Sequence, residues 1–108
     1  MLAQDIHNHD RFKLGYSNED GWAAYVNQEH LFLKQFPLCF NECYPDYYAS
    51  SYEAFTSHYI MEMESLSPLR KVSTDETLEH VETWKLFESI QTPQNEKEIC
   101  DLTKIFLA

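Results

Sequence analysis

Residues 44–87 read YPDYYASSYEAFTSHYIMEMESLSPLRKVSTDETLEHVETWKLF, and this stretch decides the predicted fold. Its runs 52–56, 59–66 and 77–87 mix aromatic, apolar and polar residues, and turn-forming residues separate them. Short runs of this kind are typical of β-strands that bury one face. Alternation is less clean in 77–87, so a helix through 77–88 is the alternative interpretation. The stretch therefore predicts a curved antiparallel sheet.

Earlier residues predict further strands, at 11–16, 22–26 and 30–36. The short polar link 27–29 joins the last two of these runs and predicts a hairpin. Residues 1–10 show no periodicity, which predicts a loose N-terminal tail.

The C-terminal residues predict a different element. Thr92 and Pro93 suit an N-cap and a first helical position, so a helix is expected over 93–106. Its apolar residues recur at helical spacing: Ile99, Leu102, Ile105 and Phe106. Together these patterns predict one domain over 1–108, an all-β antiparallel β-sandwich with a single C-terminal α-helix.

Composition and charge exclude several classes of function. The formal net charge of −10 argues against nucleic acid and against anionic membrane surfaces, both of which attract clustered Lys and Arg. Three cysteines are an odd number and include no Cys-x-x-Cys pair, which favours a reduced cytoplasmic protein without a structural zinc site. No apolar run approaches the roughly 20 residues that span a bilayer. No cofactor or metal is predicted.

Two of the predicted strands carry polar residues on faces that also hold apolar ones. Residues two apart on a strand share a face, so Glu62 and Glu64 lie together in 59–66, as do His80, Glu82 and Trp84 in 77–87. If the two strands pair, these faces join, and a lysine from the 30–36 strand can supply the opposite charge. The predicted ligand-binding residues are Lys34, Glu62, Glu64, His80, Glu82 and Trp84. The alternative is an ordinary exposed sheet face with surface hydrogen bonds.

Five short segments occur in an order that resembles the C-terminal part of galactose mutarotase-like (aldose 1-epimerase-like) proteins of a bacterial branch. They are KLGYSNEDGWAAYV, LFLKQFP, YPDYYASSYEAFT, MEMESLSPL and ETLEHVETWKLF. The resemblance covers about residues 11–106 and implies part of a β-supersandwich. A partial sandwich would expose strand edges, so we expect a homodimer.

The resemblance implies a carbohydrate-binding domain that lacks the full catalytic machinery, with a small-molecule carbohydrate as its ligand. A first alternative is an aldose 1-epimerase-type isomerase in which Glu64 is the general base, or Glu62 by a competing alignment. His80 is then the candidate acid, because the segment that carries the catalytic His of the family has no counterpart here. A second alternative is a non-catalytic interaction protein that acts through its dimer interface.

Overall fold

The computed structural model describes residues 1–108, which form six strands and two helices. In chain order these are β1 (Phe12–Tyr16), β2 (Trp22–Asn27), β3 (His30–Gln35), α1 (Pro45–Ala49), β4 (Tyr52–Thr56), β5 (Met61–Ser65), β6 (Thr83–Glu88) and α2 (Glu96–Phe106). Two antiparallel three-stranded sheets have the orders β1-β4-β5 and β2-β3-β6. The predicted all-β class with a C-terminal helix is confirmed. Neither helix combines the length and the apolar character that crossing a membrane requires.

The chain divides into two compact units. The first comprises Met1–Ala23 and Lys34–Thr83, and the second comprises Ala24–Leu33 and Trp84–Ala108. The first unit contains the β1-β4-β5 sheet, called here the first sheet, together with α1. The second contains the β2–β3 turn, most of β6, and α2.

Strict alternation of side chains gives the first sheet two different faces. In the register of the sheet, Glu53 lies opposite Gly15 and Glu64, and Tyr52 lies opposite Tyr16 and Ser65. One face, called here the acidic face, carries Lys13, Glu53, Phe55, Glu62 and Glu64. The other, called here the core face, carries Phe12, Leu14, Tyr16, Tyr52, Ala54, Met63 and Ser65.

The core of the first unit lies on the core face of β4. Phe36, Tyr52 and Ala54 are buried there, and Met63 packs against them. The rings of Phe36 and Tyr52 stack with centroids 5.9 Å apart and an interplanar angle of 9°. Each large apolar side chain buried in this way stabilises the fold by about 1.5–3 kcal/mol. Burial also raises the pKa of Tyr52 to about 12.

Asn18 organises the turn between β1 and β2. Its buried side chain donates to Trp22 O at 2.7 Å and accepts from the backbone N–H groups of Asp20 and Gly21. Gly21 has φ +68, and a Cβ there would lie 2.9 Å from Phe36 O, so only glycine fits this position. A buried amide with its hydrogen bonds made fixes the turn, because an unmade bond would be costly.

The second unit contains a tight hairpin turn and the C-terminal helix. Gln28 and Glu29 have φ 47 and 60, so a two-residue turn replaces the expected three-residue link. Helix α2 packs on β6 through Phe87 and Phe106, whose ring centroids are 4.3 Å apart.

The helix begins three residues later than predicted, because Asn95 provides the N-cap instead of Thr92. The Asn95 side chain accepts from Glu98 N, and the Glu98 carboxylate accepts from Gln94 N and from Asn95 Nδ2. This reciprocal arrangement satisfies donors that the first turn of a helix leaves free.

The long strand predicted over 77–87 is wrong in its first half. Residues 77–82 are neither strand nor helix, and β6 begins at Thr83. The polar side chains of His80 and Glu82 bond to Ser65 instead of alternating along a ladder. Similarly, Tyr59 and Ile60 belong to the turn before β5, which the hydrogen bond from Ser57 N to Ile60 O closes at 2.9 Å.

Candidate functional site

The predicted binding face does not form as one surface. Such a surface requires 59–66 and 77–87 to pair, whereas β5 is an edge of the first sheet and β6 pairs in the other sheet. Glu62 and Glu64 point to the acidic face of β5. Ser65 points to the core face, and it is Ser65 that contacts His80 and Glu82. Glu64 and His80, the two predicted catalytic residues, therefore lie on opposite faces of one sheet.

Three of the predicted residues do meet, at the outer edge of β5. Lys34 Nζ donates to Met63 O at 2.6 Å and lies 3.1 Å from Glu82 Oε1. The Ser65 hydroxyl donates to the same Glu82 oxygen and lies 2.8 Å from His80 Nε2. Since Ser65 has a single hydroxyl hydrogen, His80 Nε2 is the donor in the second bond. We name Lys34, Ser65, His80 and Glu82 the Lys34 cluster.

The Lys34 cluster is built to hold structure. The side chains of Lys34 and Glu82 are only 10% and 20% exposed, and a partly buried ion pair needs extra hydrogen bonds to offset its desolvation. Met63 O and Ser65 provide those bonds. The cluster thereby fixes residues 80–82 against β5.

Trp84 lies in the second unit, on β6. Its ring meets Phe32 edge-on, with centroids 5.5 Å apart and an interplanar angle of 84°. The indole is 63% exposed. Trp84 is therefore an aromatic packing residue of the β2-β3-β6 sheet, and the other predicted residues belong to the first unit.

The acidic face of the first sheet is organised by Lys13. Its ammonium lies 2.8 Å from Glu53 Oε2 and 3.2 Å from Glu64 Oε2, and both bonds raise the pKa of Lys13. Glu53 is only 4% exposed, which is unusual for a carboxylate in the centre of a sheet. The second oxygen of Glu64, Oε1, is buried without a hydrogen-bond partner.

Asp46 joins Glu53 from a strained segment. It lies in α1, whose three central residues are not helical: Asp46, Tyr47 and Tyr48 have φ 49, 57 and 63. A left-handed conformation of this kind costs non-glycine residues about 1–2 kcal/mol each. A side-chain hydrogen bond with Glu53 raises the pKa of Asp46. The same bond, followed by the bond from Lys13, lowers the pKa of Glu53. The pKa values of the two carboxyls are therefore displaced in opposite directions.

A cleft of about 290 Å³ opens beside this segment, within the first unit. We name it the tyrosine cleft. It is lined by Ser17, Glu19, Leu38, Cys39, Phe40, Asn41, Glu42, Tyr44, Tyr48, Ala49 and Ser51. The rings of Phe40 and Tyr48 are 71% and 72% exposed, whereas Tyr44 is buried and its hydroxyl accepts from Cys39 N at 3.0 Å. Two exposed aromatic rings and several oxygen acceptors therefore line the tyrosine cleft.

Sequence reasoning missed the residues that give these sites their shape. Glu53 lies inside the apolar run YEAF, and its isolation there was a detectable signal for a buried, paired carboxylate. Lys13 carried no such signal, because its partners lie 40 and 51 positions away and meet it only through the register of three strands. The left-handed segment at Asp46 follows Pro45 and had no glycine to announce it.

No group of three or more His, Cys, Asp or Glu side chains is arranged to hold a metal ion. Comparison with protein families, curated proteins and solved structures finds no match for this chain.

Proposed function

We propose that this protein binds a small neutral carbohydrate in the tyrosine cleft and does not catalyse its conversion. The observation that carries the proposal is the pairing of exposed Phe40 and Tyr48 rings with acceptor groups in one hollow. A sugar ring offers an apolar C–H face to aromatic side chains and hydroxyls to carboxylates and amides. Glu19 and Asn41 are the acceptors proposed for those hydroxyls.

Charge supports a neutral ligand over an anionic one. The chain carries a net charge of −10, and Glu42 in the cleft already pairs with Arg70 at 3.2 Å. A phosphate or carboxylate would meet further negative charge there. The proposal also keeps the cytoplasmic location, which rests on three free cysteines.

The mutarotase-like resemblance enters this proposal only through the ligand class. It suggested a sugar, and the tyrosine cleft supports a sugar through different residues. Glu62, Glu64 and Trp84 are not part of the proposed contact surface. The Lys34 cluster has a structural role and is not part of it either.

A titration monitored by NMR tests the proposal. We expect a panel of neutral monosaccharides to shift amide signals of residues 38–51, and Tyr48→Ala to weaken binding by on the order of tenfold, since 1.4 kcal/mol corresponds to that factor. Tyr47→Ala is the matched control, because Tyr47 is the neighbouring tyrosine, is 99% exposed and does not line the cleft. If no sugar shifts these signals, or both variants weaken binding equally, the proposal is wrong.

One observation favours a second candidate, acid–base catalysis on a sugar. Asp46 and Glu53 share a hydrogen bond and have pKa values displaced in opposite directions, a pattern typical of a proton donor beside a proton acceptor. In anomerisation the base takes the proton of the anomeric hydroxyl and the acid protonates the ring oxygen, so the ring opens and recloses. Asp46 would be the donor and Glu53 the acceptor, in place of His80 and Glu64.

Anomer exchange distinguishes the two candidates. A catalyst would accelerate the exchange for at least one aldose, and Asp46→Asn and Glu53→Gln would each abolish the acceleration. Glu62→Gln, on the exposed end of the same face, would leave it unchanged. The absence of acceleration across a panel of aldoses would reject the catalytic candidate and leave the binding proposal standing.

A further inference from the structure

Strand β1 is an edge strand of the first sheet and is exposed along its whole length. It is the first strand in the order β1-β4-β5, and each of its five residues is exposed. Three of them are large and apolar, with Phe12 49%, Leu14 39% and Tyr16 44% exposed. Natural proteins usually blunt such edges with charge, proline, a bulge or a covering segment.

The direction of the backbone groups in β1 follows from the neighbouring ladder. Just outside the two ends of β4, Leu66 N donates to Ser51 O and Ser57 N donates to Ile60 O, so the odd-numbered residues of β4 bond to β5. Ser51 N, which precedes β4, donates to Tyr16 O, so the carbonyl of Tyr16 is directed toward β4. The even-numbered residues of β4 therefore bond to β1, and their partners there are Phe12, Leu14 and Tyr16. This leaves the N–H and C=O groups of Lys13 and Gly15 directed away from the sheet.

We propose that β1 pairs antiparallel with β1 of a second copy of this chain, about a two-fold axis at Leu14. In this register Lys13 lies opposite Gly15 of the second copy, and the two residues exchange both of their outward hydrogen bonds. The symmetry repeats the exchange, which gives four hydrogen bonds. The two first sheets become one six-stranded sheet.

The side chains of β1 are self-complementary in the same register. On the core face, Phe12 meets Tyr16 of the second copy, and Leu14 meets its own counterpart across the axis. Aromatic and apolar cross-strand pairs of this kind are stabilising. On the acidic face, each Lys13 meets a glycine and not a charge, and its ammonium is already neutralised by Glu53 and Glu64.

Pairing at β1 brings no carboxylates of the two copies opposite each other. Residues 11–18 read RFKLGYSN and contain two cations and no carboxylate, although the whole chain has a net charge of −10. Five residues from each copy make a small interface, so the dimer should be reversible and not obligate. This inference stands independently of sugar binding.

Disulfide crosslinking tests the register directly. In a background with Cys39, Cys43 and Cys100 changed to serine, we expect Leu14→Cys to form a crosslinked dimer under mild oxidation, because residues facing each other across a non-hydrogen-bonded pair have Cβ atoms about 4.5–5.5 Å apart. Phe12→Cys alone should not crosslink, since its copies would be about 14 Å apart along the strands. A mixture of Phe12→Cys and Tyr16→Cys should crosslink as a heterodimer.

Sedimentation velocity over a range of concentrations tests the association itself. We expect reversible dimerisation by the native chain, and Leu14→Lys should weaken it by on the order of tenfold, because it sets like charges opposite each other on the axis. An unchanged circular dichroism spectrum would show that the variant is folded. A native chain that stays monomeric at every concentration, or equal crosslinking by Phe12→Cys alone, would overturn the proposal.

Discussion

One edge of the first sheet is protected against pairing with another strand, and the other edge is not. At the β5 edge, Lys34 donates to Met63 O and pairs with Glu82, so a charged side chain occupies the ladder where another strand would add. At the β1 edge, Lys13 turns inward to Glu53 and Glu64, and the outward backbone groups stay free. One residue type thus closes one edge and leaves the other open, according to where its carboxylate partners lie.

The largest effect is expected at the closed edge. Lys34→Met removes an ammonium that is only 10% exposed, and it leaves Glu82 without that ammonium and Met63 O without its donor. Breaking a buried pair from one side typically costs 3–5 kcal/mol, and partial exposure of Glu82 lowers this to about 2–3 kcal/mol. Urea unfolding measures the change.

A double variant separates the lost pairing from lost packing. Lys34→Met with Glu82→Leu replaces both charges by apolar groups, so most of the lost stability should return. If the double variant is as unstable as the single one, the ion pair is not what holds the β5 edge.

The second effect concerns Gly15 of β1, which has little space for a side chain although its outward backbone groups are free to pair with another strand. A Cβ on Gly15 would lie 2.7 Å from the Ser50 hydroxyl and 3.3 Å from Glu53. We therefore expect Gly15→Val to destabilise the fold by about 1–3 kcal/mol, despite the high strand propensity of valine. Ala24→Val, at an exposed position of β2, is the control and should be neutral. Thermal denaturation measures both.

The sequence predicted the elements whose pattern is local. Strands β1 to β5 coincide with short runs rich in apolar and aromatic residues, and the turns beside them contain the expected Gly, Asn and Ser residues. The prediction failed for 77–82, where polar residues follow no period and are held by contacts with Ser65 and Lys34. It also failed at the start of α2, since both Thr92 and Asn95 are good N-caps and only the Asn95–Glu98 exchange decides between them.

The candidate sites were less predictable because they depend on register. A single alternation argument placed Glu62 with Glu64 correctly, but it gave no information about which strand lies beside β5. The pairing of Glu53 with Lys13 and Asp46 requires the order β1-β4-β5, and the tyrosine cleft requires a left-handed segment at 46–48. Neither feature has a local sequence signal.

The third prediction uses pH to compare two carboxyls on the acidic face. The pKa of Glu53 is lowered in the folded state, so its contribution to stability is present above its ordinary pKa and is lost as pH falls through the folded value. The pKa of Asp46 is raised, so its ionisation opposes folding, and this cost disappears as pH falls. Ionisation of Glu53 therefore stabilises the folded state, whereas ionisation of Asp46 destabilises it.

Urea midpoints between about pH 7 and about pH 3 measure these opposite effects. Glu53→Gln should be less stable than the native chain at the higher pH, and the gap should narrow on acidification. Asp46→Asn should gain relative stability at the higher pH, and that gain should shrink on acidification. Parallel curves for the two variants would show that these carboxyls are not coupled.

The smallest effect is expected at the shortest ion pair, which shows that burial and not distance decides what a lysine contributes. Lys97 lies 2.7 Å from Asp101 on the surface of α2, closer than Lys34 lies to Glu82, but its side chain is 85% exposed. Water and side-chain entropy offset most of the attraction in exposed pairs of this kind. Lys97→Met should therefore leave the urea midpoint unchanged within error, in contrast to Lys34→Met. If Lys97→Met lowered the urea midpoint as much as Lys34→Met, ion pairing would stabilise this chain regardless of burial. The distinction between the closed and open edges of the first sheet would then no longer hold.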